Sequence, residues 1–484
     1  MKNNNHSFVS FIFLKLLAMI YLIAFISLLV QINGLIGSNG ILPAENFLKI
    51  VRTQLGFDGY WLFPTLFWFN SSDLFLNAFC VSGILLSIVL FFNIMPFFTL
   101  VVLWLLYLSL SVVSQDFLSF QWDILLLEVG FLAIFLAPLK SRIVLWLFWL
   151  LLFKLMFFSG LVKLLSGDVS WRDLTALTYH YETQPLPNFI SYYAHWLPDW
   201  FHKVSCFIMF VIELFIPFLI FCGRRLRVIA AIIFTMFQLL IVLTGNYCFF
   251  NLLTIALCVL LLDDDCIHKF MKNILSLSDK NKTSYCPKPL VILISIVILL
   301  INLMQFLRVF HLQINYPYPL KALYSAVSPF QTVNSYGLFA VMTKSRPEIV
   351  IEGSNDGIDW LEYEFKYKPG DLKRYPSFVA PYQPRLDWQM WFAALGSYEH
   401  NQWFVNLCFR LLQGSPPVLQ LLEKNPFKNS PPKYLRALLY DYHFTDFSTK
   451  QKDKTYWKRE LKGIYFPTVT LNGNGLAFVR ILSN

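Results

Sequence analysis

The chain is poor in charge: only 14% of its 484 residues are Asp, Glu, Lys or Arg, too little to clothe a soluble protein of this length. Cysteine is scarce and poorly placed for redox work. Of eight cysteines, Cys80, Cys206, Cys222, Cys248 and Cys258 sit in or at the ends of apolar runs, where the thiol serves as a small hydrophobe. Cys266 and Cys286 share one loop, and Cys408 stands alone in the C-terminal region, which excludes an internal disulfide there. With no CxxC, a thiol oxidoreductase is excluded. HExxH, P-loop, GxSxG and Cys/His zinc spacings are missing too, so no metal and no cofactor is expected. No internal repeat or low-complexity tract breaks the chain.

What is present is apolar bulk: 57% hydrophobic residues, 18% aromatic, 49 of them Phe. This composition specifies a polytopic α-helical membrane protein. A span needs about 20 apolar residues, and runs near 8–30, 74–92, 95–113, 119–137, 143–162, 204–222, 228–244, 246–262 and 289–309 make about nine. Lys140 and Arg142, then Arg224, Arg225 and Arg227, then Lys269, Lys272, Lys280, Lys282 and Lys288 mark three loops that nine spans place on one side. The positive-inside rule makes that side cytoplasmic, with the N-terminus, and exports the chain after Arg308. The first run is too long for a signal-peptide core and lacks a small-residue cleavage site, so it reads as a retained anchor. The formal charge of +10 follows from these loops and from a C-terminal region near an anionic membrane surface. It does not indicate nucleic acid.

Residues 1–310 therefore read as a transmembrane helical domain with interfacial loops at 31–73, carrying Tyr60, Trp61 and Trp68, and at 163–203. The second loop is rich in Trp, Tyr, His and Pro, with Trp171, His180, Tyr181, Gln184 and His195, and suits short helices lying on the membrane. Residues 311–484 read as an exported C-terminal α+β domain with a β-sandwich-like portion. Ile349, Val350 and Ile351 open a strand, and Asn355-Asp356-Gly357 predicts a hairpin. Helical patterning follows over 387–412 and 417–423, then strands over 434–446 and 456–466. Asp263–Asp265 reads as a solvated span end.

Ionisable groups inside apolar runs are costly unless paired or facing a polar cavity. Counting the helical rise puts Glu128, Lys154, Glu213 and Gln238 near the midplane, and Asp123 and Lys163 closer to the exported side. In one reading Lys154 pairs with Glu128 or Glu213 and the cluster fixes helix packing. In the other these groups line a cavity and act on a substrate or proton. Asp123 and Glu128 lie about 140° apart on a helix, so they do not form an acid–base pair with each other. A histidine at His180 or His195 is more often a hydrogen-bonded surface residue than a ligand. In Pro381–Leu395, Arg385, Asp387, Trp388, Gln389 and Trp391, with Tyr398 beyond, allow two readings. Either Asp387 caps a helix whose tryptophans pack down, or the block is a recognition face for a client, since Trp and Arg anchor interfaces.

SFQWDILLLEVGFLAIFLAP (119–138), LTGNYCFFNLLTIALCVLLLDD (243–264), the block 327–371 and APYQPRLDWQMWFAALGSY (380–398) resemble the lipase maturation factor family over nearly the whole chain. YLRALLYDYHFTD and YWKRELKGIYFP are similar to that family as well. The resemblance implies a membrane-bound folding factor, a kind of chaperone, that assists an exported client protein such as a lipase through its C-terminal domain. It would reside in the endoplasmic reticulum membrane of a eukaryote or the inner membrane of a bacterium. FFSGLVKLLSGDVSW (157–171) is similar, more weakly, to the membrane segment of the vitamin K-dependent carboxylase superfamily. That likeness implies an alternative: an enzyme working at the exported face through Lys163.

Overall fold

The computed structural model describes residues 6–139, 141–268, 288–310, 315–473 and 475–479. Lys140 and the loop carrying Lys269, Lys272, Lys280, Lys282 and Cys286 lie outside the described residues. In the first part the helices are α1 (Ser7–Leu29), α2 (Ala44–Leu55), α3 (Asp73–Phe91), α4 (Pro96–Val113), α5 (Gln121–Leu139), α6 (Arg142–Leu165), α7 (Ala176–Thr183), α8 (Phe189–His195), α9 (Asp199–Leu214), α10 (Arg224–Thr244), α11 (Phe250–Val259) and α12 (Lys288–Val309). Among the described residues, seven helices are long and apolar enough to cross a membrane: α1, α3, α4, α6, α9 with its continuation to Phe221, α10 and α12. The protein is thus a polytopic helical membrane protein. Helix α5, with its two acids, matches them in length at 19 residues.

The run at 246–262 differs from expectation. It forms only the ten-residue α11, about half a bilayer crossing at 1.5 Å per residue. Its entry, Gly245–Phe249, stays outside regular helix because the Asn246 side chain is committed elsewhere. Its amide donates to the carbonyls of Leu186 and Ser377 at 3.1 and 2.8 Å, and its oxygen accepts the Val379 and Ala380 N–H groups at 2.8 and 3.1 Å.

The expected solvated end at Asp263–Asp265 is also corrected. Asp263 and Asp264 are buried and only Asp265 is exposed. Asp264 accepts the Phe8 and Val9 N–H groups of α1 at 3.1 and 3.0 Å, so a carboxylate satisfies orphan donors at the positive end of that helix. Asp263 binds Arg224 at 2.6 Å and Arg227 at 3.0 Å.

The C-terminal part contains α13 (Tyr318–Val327), β1 (Pro347–Ser354), β2 (Leu361–Glu362), β3 (Glu364–Phe365), α14 (Arg385–Ala394), α15 (Gln402–Leu412), β4 (Leu422–Lys424), β5 (Tyr434–Phe444), α16 (Phe447–Asp453), β6 (Trp457–Asn472) and β7 (Gly475–Phe478). Five strands form an antiparallel sheet in the order β2-β1-β5-β6-β7, and β3 pairs with β4. The hairpin falls where the Asn-Asp-Gly signal puts it: the Asp356 carboxylate accepts the Ile358 and Asp359 N–H groups at 2.8 and 2.9 Å. Period-two alternation turns Ile349 and Ile351, and Leu435 and Ala437, into a core that α14 and α15 share, and a register shift in β6 brings Phe466 and Val469 onto the same face. One hydrophobic cluster runs from Val9 of α1 through the bundle to Val469 of β6.

Candidate functional site

Where the helices meet the C-terminal part, the buried charges fall into separate pairs rather than one midplane cluster. The first joins Asp123, in the opening turn of α5, to Arg385, the first residue of α14. The guanidinium makes both of its parallel bonds to the carboxylate, at 2.9 and 2.8 Å, and both residues are fully buried. The Tyr107 hydroxyl of α4 donates to the same carboxylate, and Arg385 donates again to the Phe117 carbonyl at 2.6 Å. Behind it, the Gln31 side chain accepts the Arg385 N–H at 3.0 Å and donates to the Gln383 carbonyl at 2.7 Å. Burial opposes the Arg385 cation, but the adjacent Asp123 carboxylate holds its pKa above the ordinary arginine value.

The second pair is Lys154 of α6 with Glu128 of α5 at 2.8 Å. The free oxygen of Glu128 accepts from the Asn334 backbone at 2.9 Å and the Tyr336 hydroxyl at 2.7 Å. Glu128 therefore ties α5, α6 and the segment leading to β1 together.

The third joins Lys163 of α6 to both oxygens of Glu213 in α9, at 2.9 and 2.7 Å. Of the two acids offered to Lys154, Glu128 is the one it meets; Glu213 goes to Lys163 because it packs directly on Gly160, one turn before Lys163, where the missing side chain lets α6 and α9 close up. Lys163 is buried, with its ammonium 5.4 Å from the Trp171 ring. Gln238 is apart from all three pairs and accepts from Asn251 at 2.7 Å.

The loop residues Trp171, His180, Tyr181 and Gln184 lie beyond the C-terminal end of α6. Trp171 is buried and donates to the Phe339 carbonyl at 3.0 Å. Tyr247 donates to Gln184 at 2.9 Å, and its oxygen lies 3.2 Å from His180 Nε2. Tyr181 packs its ring 5.6 Å from that of His202. Burial, aided by the Lys163 ammonium, pushes the His180 imidazole from 6.5 down to about 4. Below pH 6.5 the unfolded chain then takes a proton that the folded chain refuses until about pH 4, so this stabilising contribution is lost as pH falls through that window. His180→Gln is expected to flatten the acid-side decline of the unfolding temperature between pH 6.5 and 4. An unchanged decline would assign it to other groups.

Of the two readings of Arg385, Asp387, Trp388, Gln389, Trp391 and Tyr398, the burial of these side chains fits the one in which the tryptophans pack down. The first five are buried and Tyr398 is half-buried against Phe466. Gln389 bonds the Asp116 carbonyl, Trp391 donates to the Thr183 carbonyl at 2.9 Å, and Trp122 stacks edge-on to Trp388. Asp387 does not cap its own helix. It accepts the Tyr367 and Lys368 N–H groups at 2.8 and 2.9 Å, and burial raises its pKa against those bonds. Trp- and Arg-rich composition marks buried contacts between parts of one chain as readily as contacts between chains.

Arg346 escaped sequence reading altogether. Wholly buried, it donates to the backbone carbonyls of Glu182, Gln184 and Pro185 and pairs with Glu348 at 2.8 Å, while Glu182 accepts the Phe444 N–H at 2.6 Å. The only signal available was a basic residue next to a β-branched run, which is common on solvated strands.

This arrangement defines a class: a polytopic membrane protein whose β-containing C-terminal part is bolted to its helices by buried charges. Residues 8–269 match the family model described as the lipase maturation factor transmembrane domain, and residues 332–467 match the lipase maturation factor C-terminal domain. The chain is 36% identical to lipase maturation factor 2 of Xenopus tropicalis over 84% of this chain and 75% of that protein. It is 35% identical to lipase maturation factor 1 of Mus musculus, over 95% and 87% respectively, and 33% identical to the Bos taurus protein of that name, over 95% and 88%. No solved structure matches. The chain belongs to the lipase maturation factor family.

Proposed function

We propose that the protein is a membrane-bound maturation factor that assists the folding of an exported client enzyme, with a lipase as the client class. Family membership supports this, since the relatives are lipase maturation factors by name. The observation that carries it is the junction: every intramembrane acid considered above is matched by a cation or hydrogen-bond donors of its own chain. Such charges hold a surface in place. In this reading the N-terminus is cytoplasmic and the C-terminal part exported, into the endoplasmic reticulum lumen or a periplasm. Residues 1–310 anchor and 311–484 meet the client. Cysteines introduced at Ile358, 80% exposed, are expected to react with an impermeant maleimide only from the exported side.

In cells lacking the protein, a co-expressed lipase is expected to be secreted with specific activity several-fold below that of cells supplied with it. Equal activity would overturn the reading. The alternative, catalysis through Lys163, gains nothing from the geometry because Glu213 occupies the ammonium. Lys163→Met paired with Glu213→Leu removes the charge without stranding either partner. Lipase activity is expected to stay within about twofold of wild type, since no transition-state contact is removed. A collapse of activity in a correctly folded double variant would favour the enzyme.

A further inference from the structure

Strand β6 is 16 residues long, and its two edges are used unequally. On one edge β5 pairs with it from Trp457 to Val469. On the other, β7 covers Val469–Asn472, the Val479 N–H donates to the Thr468 carbonyl at 2.9 Å, and the Leu372 carbonyl accepts the Trp457 N–H. From Lys458 to Pro467 no described residue bonds the backbone along that outer edge. Among the described residues these ten leave about 33 Å of strand edge unpaired.

Open edges recruit other strands, and proteins blunt them with lysines, bulges and proline. All three are present: Lys458 and Lys462, the register shift opposite Leu439–Tyr440 beside Gly463 (φ 157°), and Pro467 at the far end. Yet two large apolar side chains remain in the open stretch, Leu461 at 55% and Ile464 at 71% exposure. Their cross-strand neighbours are Tyr440 and Leu438.

The unpaired groups on this edge are amides and carbonyls spaced for another backbone, so its natural occupant is polypeptide. Charge narrows the choice. Residues 450–462 hold Lys450, Lys452, Lys454, Lys458, Arg459 and Lys462 against Asp453 and Glu460; Arg459 pairs with Glu362 at 2.7 Å and Lys462 with Glu460 at 3.1 Å, and the excess that remains is basic. A second copy would bring basic edge against basic edge. An acidic extended segment complements it.

We infer that the outer edge of β6 captures an extended segment of the client as an added strand, with apolar side chains over Leu461 and Ile464 and an acidic residue beside Lys458. This rests on the maturation reading. A client not yet folded presents its strands unpaired, and occupying one on β6 would keep it from aggregating until its own sheet can close.

The test uses the full chain in phosphatidylcholine nanodiscs. The probe is a fluorescein-labelled twelve-residue peptide of alternating Thr and Val with Glu at each end. Saturable binding by anisotropy is expected, weakened at least tenfold by Leu461→Asp with Ile464→Asp and by N-methylating alternate amides of the probe. Ile358→Asp, exposed elsewhere on the domain, should leave binding unchanged. No binding, equal binding of the N-methylated probe, or a dimer that the double variant converts to monomer overturns the proposal. So does binding in detergent that vanishes in nanodiscs, which would mean that the edge faces lipid. The double variant is also assayed for lipase secretion. Full support there overturns the edge while leaving the maturation role standing, whereas a lipase indifferent to the whole protein removes that role whatever the probe does.

Discussion

Arg385→Met is expected to cost the folded protein about 3–5 kcal/mol, the usual penalty for stranding one member of a buried ion pair. The substitution leaves the Asp123 carboxylate with the Tyr107 hydroxyl as its one remaining side-chain donor and takes the Phe117 carbonyl's partner away as well. Asp123→Leu should cost as much, because the guanidinium then keeps its charge with only backbone carbonyl to meet it. The combined Asp123→Leu/Arg385→Met variant should regain most of the loss, since replacing both partners with apolar groups of similar size is often nearly neutral. Unfolding in one detergent across the four proteins measures the coupling. Additive losses would mean that the two residues act independently despite their 2.8 and 2.9 Å bonds. Arg385→Lys should rescue little, because an ammonium cannot make two parallel bonds to one carboxylate.

Glu128→Leu is the second large effect, again about 3–5 kcal/mol, and its origin differs. Glu128 answers a lysine with one oxygen and two residues of the segment before β1, Asn334 and Tyr336, with the other. Losing it strands Lys154 inside the bundle and frees the Asn334 amide and Tyr336 hydroxyl together. Glu128→Gln keeps an acceptor oxygen for Tyr336 but loses the charge and puts an NH2 where the second oxygen accepted from Lys154, so it should fall between wild type and Glu128→Leu. Adding Lys154→Met to Glu128→Leu should restore the bundle but not the tether at Asn334 and Tyr336. Global unfolding would then recover while limited proteolysis between Phe310 and Pro347 stays fast. If protease resistance recovers in step with stability, Glu128 does not hold that segment.

Much of the architecture was legible because bilayer-length apolar runs and period-two strands are local signals. The Asn-Asp-Gly turn, β5 and the start of β6 came from a handful of adjacent residues. The failures share a cause: each depends on a partner far along the chain. Nothing near Asp123 announces an arginine 262 residues away, and burial of α14 follows from that docking, not from its own composition. The depth count set Glu213 level with Lys154, but Gly160 brings α9 against α6 so that Lys163 reaches it first. The run at 246–262 has the composition of a span and lacks its length because Asn246 serves the segment 377–380. Likewise Asp263 and Asp264 match any polar span end until Arg227 and the start of α1 are placed beside them.

The buried pairs Asp123–Arg385, Glu128–Lys154 and Glu213–Lys163 fasten the protein together. The most direct measurement is lipase activity per mass of secreted enzyme in cells that carry only wild type, Arg385→Met, Asp123→Leu or the combined variant. Each single variant should fall to the level of cells without the protein, and the combined variant should recover at least half of wild-type activity. A combined variant that accumulates folded and monodisperse yet leaves the lipase inactive would contradict a fastening role and make Asp123 and Arg385 participants in the work itself.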